Sequence, residues 1–206
     1  MLQEAIISNV KPFAPLSSRS VSTEIDNAIS TVMLAFSADP VARWVWPDPA
    51  DYTRYFPEFI RAFAGRSFLN GTAIITPDNA GAALWLPPEV SSDEEALVEL
   101  IERSVSDEIK RDLFPVMEGM AAFHPDEPHW YLPMIGVDPG KQNRGTGSAL
   151  LAYSLLQCDA DGLPAYLESS NPRNISLYER FGFEQIGTIR HGDSAPLFPM
   201  LRKARG

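Results

Sequence analysis

The densest chemistry in the chain lies in Val137-Asp-Pro-Gly-Lys-Gln-Asn-Arg-Gly-Thr-Gly-Ser-Ala-Leu-Leu151. Gly145 and Gly147 stand where an apolar helical run begins, and the loop before them carries Lys141 and Arg144. The first turn of a helix presents unpaired N–H groups and a partial positive charge, and glycine lets an anion approach the backbone. The stretch has the form of a phosphate cradle. Three phosphate-binding patterns compete for it, beside an ordinary glycine-containing turn ahead of a helix. A mononucleotide loop, G-x-x-x-x-G-K-[ST], fails because Thr146 follows Gly145 where lysine is needed. A dinucleotide fingerprint asks for Gly or Ala at position 150, where Leu stands, and for a first glycine at the strand's end. Glu168 sits at about the right distance for that pattern's ribose contact, which keeps it in play. The third pattern is Gln142-x-x-Gly145-x-Gly147 after a strand ending Val137-x-Pro139.

Downstream, Glu168-Ser-Ser-Asn-Pro-Arg-Asn-Ile-Ser-Leu-Tyr-Glu-Arg-Phe-Gly-Phe183 sets Asn171 seven residues before Tyr178 and closes a short helix with Gly182-Phe183. In this order, the two motifs resemble those of the GNAT N-acetyltransferase superfamily. The likeness is closer to its puromycin N-acetyltransferase branch through Glu127-Pro-His-Trp-Tyr-Leu132, Gly136-Val-Asp-Pro139, Leu163-Pro-Ala-Tyr-Leu-Glu-Ser169, Pro172-Arg-Asn174 and Tyr178-Glu-Arg180. It is strong over residues 124–183, weak over the aromatic-rich first half and thin after 190.

The resemblance implies the GNAT acyl-CoA N-acyltransferase fold, of α/β (α+β) class. That fold is a central mixed, mostly antiparallel sheet of six or seven strands with a splayed parallel strand pair, flanked by helices. It implies acetyl-CoA as the donor. Gln142, Asn143, Arg144, Gly145, Thr146, Gly147 and Ser148 would hold its pyrophosphate, while Ile135, Gly136 and Val137 would pair with the pantetheine arm as with an added strand. Asn171 and Asn174 suit polar contacts to the pantetheine or pyrophosphate, and as turn residues around Pro172 they need no function at all. The wider superfamily carries a small apolar residue at position 174, so that role rests on the narrower branch.

Moving an acetyl group from a thioester to an amine needs a neutral amine, donors for an oxyanion and a proton for the departing thiolate. The family places a tyrosine near the coenzyme sulfur, which makes Tyr178 the general acid; a phenol of ordinary pKa about 10 keeps its proton at neutral pH. The competing reading packs Tyr178 on Phe181 and Phe183. Glu168, at the end of an expected parallel strand, is the candidate base, directly or through water, against a role in fixing the acceptor's ammonium or bonding the adjacent loop. A backbone N–H of Ile135–Val137 meets the oxyanion most simply, with Gly136 allowing a bulge.

Superfamily members build the acceptor pocket from the first helices and adjacent strands, which singles out Trp46, Tyr52, Phe56 and Trp85, with Trp44 beside them. Core packing explains such a stripe equally well. His124 and His129 flank Pro125-Asp-Glu-Pro128, a spacing unlike a two-histidine helical metal site, so they read as hydrogen-bonded loop histidines and no metal is expected. Cys158, the sole cysteine, lies on the Leu151/Leu155 face of a helix and reads as a packing thiol, which leaves direct transfer in a ternary complex. The expected activity is acetyl transfer from acetyl-CoA to the primary amine of a small molecule. The alternatives are a catalytically silent acyl-CoA sensor or partner-binding module, and a protein- or peptide-directed N-acetyltransferase.

The elements that position these residues follow from periodicity. A first strand is expected near 13–20, then a helix capped by Thr23 with Asp26, carrying Ile25, Ile29, Val32, Met33 and Phe36. After the Pro47/Pro49 turn, Tyr52, Tyr55, Phe56, Phe59, Ile60 and Phe63 share one helical stripe. Residues 72–76 and 82–86 read as a hairpin. Ser91 and Ser92 ahead of Glu94 and Glu95 resemble a capping box, and a further helix over 106–122 is expected to bend or break at Pro115. From 130 the order is strand (130–137), helix (145 to about 158), strand (165–168), short helix (175–180) and two closing strands near 184–190 and 196–202. Strand, helix, strand favours a parallel pair.

The chain has 206 residues, with 17 Lys and Arg against 27 Asp and Glu and a formal charge of −10. That balance disfavours a phosphate-neutralising surface, so no nucleic acid partner is expected. No apolar run is long enough to span a bilayer, the N-terminus lacks a secretory pattern and one cysteine excludes an intramolecular disulfide framework. A cytoplasmic protein without a membrane partner follows as an expectation. The reading is one domain over 1–206, with an acceptor-side half to about 125, an acyl-CoA half from about 126, and a homodimer compatible with it.

Overall fold

The computed structural model describes residues 11–12 and 18–205. Of the first strand expected near 13–20, residues 13–17 lie outside the described residues, and Ser18 onward belongs to a helix. That helix, α1 (Ser18–Ala35), begins before Thr23, so Thr23 is interior and not a cap. Asp26, the other half of the expected capping pair, binds Arg61 across the helix interface at 2.6 Å. Helices α2 (Pro40–Val45) and α3 (Pro49–Ala64) both open on an Asp-Pro step: Asp39 and Asp48 accept backbone N–H bonds, and proline occupies the first helical position. A short helical turn, α4 (Arg66–Leu69), follows.

The next two helices are α5 (Glu94–Ser104) and α6 (Asp107–Phe123). The cap of α5 is Asp93, whose side chain accepts the Ala96 N–H, rather than the serines; Ser92 Oγ donates instead to the Phe63 carbonyl. Pro115 lies inside an α6 assigned as one element, without the expected break. The missing N–H there frees the carbonyl of Arg111, an exposed residue that water can satisfy.

The strands are β1 (Lys11–Pro12), β2 (Ala73–Ile75), β3 (Gly81–Leu86), β4 (Trp130–Val137), β5 (Ala165–Ser169), β6 (Glu184–Gln185) and β7 (Phe198–Arg202). They form a seven-stranded sheet in the order β1-β2-β3-β4-β5-β7-β6, antiparallel except for β4 beside β5. Helix α7 (Thr146–Asp161) joins that parallel pair, and α8 (Ile175–Arg180) follows β5.

Period-two alternation divides the sheet's side chains between two cores. Ala82 and Leu84 of β3 pack with α1, α3 and α5, whereas Ala83 and Trp85 face the core built on α7. Strand β4 changes parity part way. Trp130 and Leu132 belong to the α7 core, and so do Ile135 and Val137, while Met134 faces the other helices. The cause is an extra residue: Leu84 pairs with Met134 but Leu86 pairs with Tyr131, so β4 bulges around Leu132-Pro133. Proline cannot donate to a ladder, and a bulge is where a sheet tolerates it.

The bulge therefore lies at Leu132-Pro133 and not at Gly136. Gly136 serves a different purpose, because a Cβ there would come within 2.7 Å of Ala35 Cβ and 3.4 Å of Val32 Cα. Its bare backbone lets α1 pack directly onto β4.

Beyond the bulge the parallel pair separates. β4 and β5 pair only at Trp130–Ala165 and Tyr131–Tyr166, although β4 continues along β3 to Val137 and β5 continues along β7 to Ser169. The result is a V-shaped opening in the middle of the sheet, edged by the second half of β4 and the end of β5.

Candidate active site

A cleft of about 1700 Å³ runs through this opening. At one end is the loop that leads into α7. Asn143 has φ 60° and Gly145 φ 86°, so the backbone turns left-handed twice before the helix starts. Gly145 caps α7 with no side-chain hydrogen bond, and the first intrahelical bond runs from Ala149 N–H to the Gly145 carbonyl. The N–H groups of Thr146, Gly147 and Ser148 thus precede the helix's own ladder, and all three residues line the cleft. An uncapped helix start in an open cleft offers N–H groups that an anion could accept. Gln142, Asn143, Gly145, Asn171 and Asn174 join them on its wall.

Other loop residues are occupied elsewhere or stand apart. Lys141 reaches Asp78 at 3.1 Å, Gln142 Nε2 donates to the Val137 carbonyl at 3.1 Å, and exposed Arg144 is not on the cleft wall. The cations that do line it are Arg173 and Arg180, on the segment after β5. Asn171 caps the turn Pro172–Asn174, its Oδ1 accepting the Arg173 N–H at 3.1 Å.

In the middle of the cleft, Glu168 and Tyr178 lie on the same wall as Ile135, Gly136 and Val137. Tyr178 packs edge-on against Phe183, as the core reading expected, yet its hydroxyl has no hydrogen bond among the described residues. Burial pushes its pKa up, and the charge of Asp39 adds to the rise, so the phenol holds its proton at neutral pH. Asp39 is itself largely buried, which raises its pKa, while it caps α2 and accepts a 2.5 Å hydrogen bond from Ser170 Oγ. This bond ties the start of α2 to the segment after β5, across the opening. The side chain of Glu168 is also buried; its Oε2 accepts the Tyr131 hydroxyl at 2.8 Å and its Oε1 has no hydrogen-bond partner among the described residues. The Tyr131 phenol is shifted far upward by burial and by the neighbouring Glu168.

The other end of the cleft is aromatic and acidic. Trp46, Phe56, Phe59 and Phe63 line it, together with Glu89, Glu94, Glu118, Asp126 and Glu127. Two of the four aromatics expected there are elsewhere. Tyr52 stacks on Phe56 at 4.7 Å and donates its hydroxyl to the Met33 carbonyl at 2.5 Å, inside the helical core. Trp85 lies on the opposite face of the sheet, edge-on to Trp130 at 6.4 Å in the α7 core. Parity decides this, because Trp85 is odd in a strand whose even residues face the aromatic helices. Cys158 is buried in that same core, and burial pushes its thiol up to about 12, which leaves it protonated and unreactive.

Four residues of the site were not singled out as site residues by sequence reasoning. Tyr131 had no signal beyond its place in an apolar strand. His124 and His129 were visible but read as loop residues. Asp39 carried the signal of its Asp-Pro step, the same one that opens α3.

The sheet with its central splay and the open glycine turn fit an acyltransferase of the N-acetyltransferase type. The Acetyltransferase (GNAT) family pattern matches residues 40–183, and the chain belongs to that family. An uncharacterized N-acetyltransferase of Schizosaccharomyces pombe is 28% identical over 193 residues, covering 85% of this chain and 78% of that protein. A mycothiol acetyltransferase of Saccharomonospora viridis is 31% identical over 176 residues; the match covers 76% of this chain but only 53% of the relative. Among solved structures, a Corynebacterium glutamicum protein named histone acetyltransferase HPA2 and related acetyltransferase superposes with a TM-score of 0.66 at 23% identity, over 96% of this chain and 97% of that one. No helix among the described residues is long and apolar enough to cross a membrane.

Proposed function

We propose that the protein acetylates the primary amine of a small, cationic, partly apolar molecule by direct transfer from acetyl-CoA. The observation that carries this reading is the polarity of the cleft. Its cations, Arg173 and Arg180, and the open helix start come from the segments around α7 and α8, whereas the aromatic rings and five carboxylates come from α3, α5, α6 and the loops beside them, which add no Lys or Arg to the wall. An anionic cofactor and a cationic acceptor would each find complementary charge. In this reading the residues up to about 125 supply most of the acceptor side and those from about 126 the donor side.

The residues present fit coenzyme A. Thr146, Gly147 and Ser148 offer backbone N–H groups to the pyrophosphate, Gly145 makes their turn possible, and the free half of β4, Ile135–Val137, offers a strand edge to the pantetheine. Asn171 and Asn174 stand beside that path. Bound acetyl-CoA supplies the activated acyl group as a thioester. Glu168 takes a proton from the acceptor's ammonium on Oε1, the oxygen without a partner, while Tyr131 holds Oε2. N–H groups of the β4 edge stabilise negative charge on the carbonyl oxygen. Tyr178 keeps its phenolic proton until the leaving sulfur needs it.

The test is calorimetric titration with acetyl-CoA, followed by thiol release against phenethylamine, tryptamine, putrescine, spermidine and a lysine-containing peptide. Saturable binding with release on a small amine supports the proposal. Release on the peptide alone would make it a protein-directed enzyme, binding without release on any amine a silent acyl-CoA binder, and no binding would overturn the reading.

A further inference from the structure

The two loop histidines form a hydrogen-bonded pair whose outer nitrogen faces Glu168. His129 Nδ1 lies 2.8 Å from the carbonyl oxygen of Glu127. A carbonyl only accepts, so Nδ1 carries the hydrogen. Burial depresses the pKa of His129, which keeps the ring neutral and leaves Nε2 as a lone pair. That lone pair faces His124 Nδ1 at 3.1 Å, so His124 Nδ1 is the donor. His124 Nε2 is left as the exchangeable position, 3.5 Å from Glu168 Oε1, the oxygen with no hydrogen-bond partner.

The rest of the surroundings hold this arrangement. From β4, Tyr131 packs edge-on to the His124 ring at 4.6 Å; from β5, Tyr166 packs against it at 4.5 Å. Both phenols are driven upward by burial and by Glu168, so neither competes for a proton near neutral pH. The Glu168 side chain is 3% exposed, against 30% for His124. His124 is thus the group in contact with both the buried carboxylate and water.

We propose that His124 is the proton shuttle of Glu168, and that His129 is the positioning residue that sets its tautomer. The inference rests on the acetyl-transfer reading above. Each turnover of a protonated amine breaks an N–H bond and forms an O–H bond on Glu168. With donor and acceptor filling the cleft, that proton leaves through His124: the Glu168 O–H breaks as the His124 Nε2–H forms, and the imidazolium releases the proton to water. Both groups return to their starting forms, and no other reactant is consumed.

The experiment compares the wild-type chain with His124→Gln, which fills the space but carries no exchangeable ring proton. The acceptor is whichever amine of the panel gives the fastest thiol release. The variant should keep its melting temperature and acetyl-CoA affinity, lose at least about tenfold in kcat, and show a larger solvent deuterium isotope effect. Added imidazole should restore kcat in proportion to its concentration. A wild-type kcat in the variant from pH 6 to 9, or a loss that imidazole leaves untouched with an unchanged isotope effect, overturns the shuttle alone. Nitrogen NMR of the protein without ligands should find His129 neutral and protonated on Nδ1, and the opposite tautomer also overturns it. Failure of the wild-type chain to turn over any amine overturns the acetyl-transfer reading and the shuttle with it.

Discussion

Tyr178 and Glu168 share a wall but live under different constraints. Tyr178 has a hydroxyl without a hydrogen bond among the described residues and a pKa raised by burial, so its value lies in holding a proton, and Phe at this position removes only that. Tyr178→Phe should bind acetyl-CoA within about twofold of wild type and lose roughly 10²-fold in kcat, measured by thiol release, since positioned acid–base groups contribute on that scale. Full retention of kcat would remove Tyr178 from the chemistry. His129 carries a consequence for stability. Its folded pKa is depressed below the ordinary 6.5, so the unfolded chain binds more protons at mildly acidic pH and stability rises with pH there. Acidification from pH 7 through the region below 6.5 should lower the denaturation midpoint of the wild type more than that of His129→Gln, as urea titrations would show.

At the scale of elements, two glycines that the motif treats alike differ in sensitivity. Gly145 has φ 86°, which a side chain adopts at a cost of about 1–2 kcal/mol, whereas a Cβ at Gly147 would meet Leu177 and Val137 at 3.5 and 3.8 Å, ordinary contacts. Gly147→Ala should therefore melt within a degree or two of wild type, and Gly145→Ala several degrees lower, with calorimetry as the readout. Gly136 is the tighter case: a methyl group there collides with Ala35 and pushes α1 off β4. Gly136→Ala should cost about 1–3 kcal/mol by chemical denaturation, the usual penalty for overpacking. An unchanged midpoint would mean that α1 is free to shift on the sheet.

For the whole molecule the governing quantity is charge. A formal charge of −10 and the carboxylates lining the cleft would steer cations toward it, and salt screens such steering over about 10 Å at 0.1 M. kcat/KM for spermidine should fall between 20 and 300 mM NaCl by more than that for phenethylamine, which carries a single charge. Equal dependence for both would assign the acidic residues to solubility alone.

Much of this was legible without coordinates. The range 130–137 for β4, the range 175–180 for α8, the hairpin at 72–86 and the glycine turn into α7 follow from local rules: alternation, caps, proline and glycine. Each of those rules acts within a few residues along the chain, where sequence spacing and spatial spacing agree. Local rules failed where a side chain found a distant partner, as when Asp26 chose Arg61 and Ser92 chose the Phe63 carbonyl over the cap each was expected to make. They failed again at Trp85 and Tyr52, whose aromatic character suits a pocket but whose facing is set by strand parity and helix packing. The sequence by itself determined the glycine turn into α7, because such a turn is a contiguous piece of backbone. The bulge at Leu132-Pro133, the splay it precedes and the chain from His129 through His124 to Glu168 join residues far apart in sequence, and only tertiary packing brings such groups within a few ångströms.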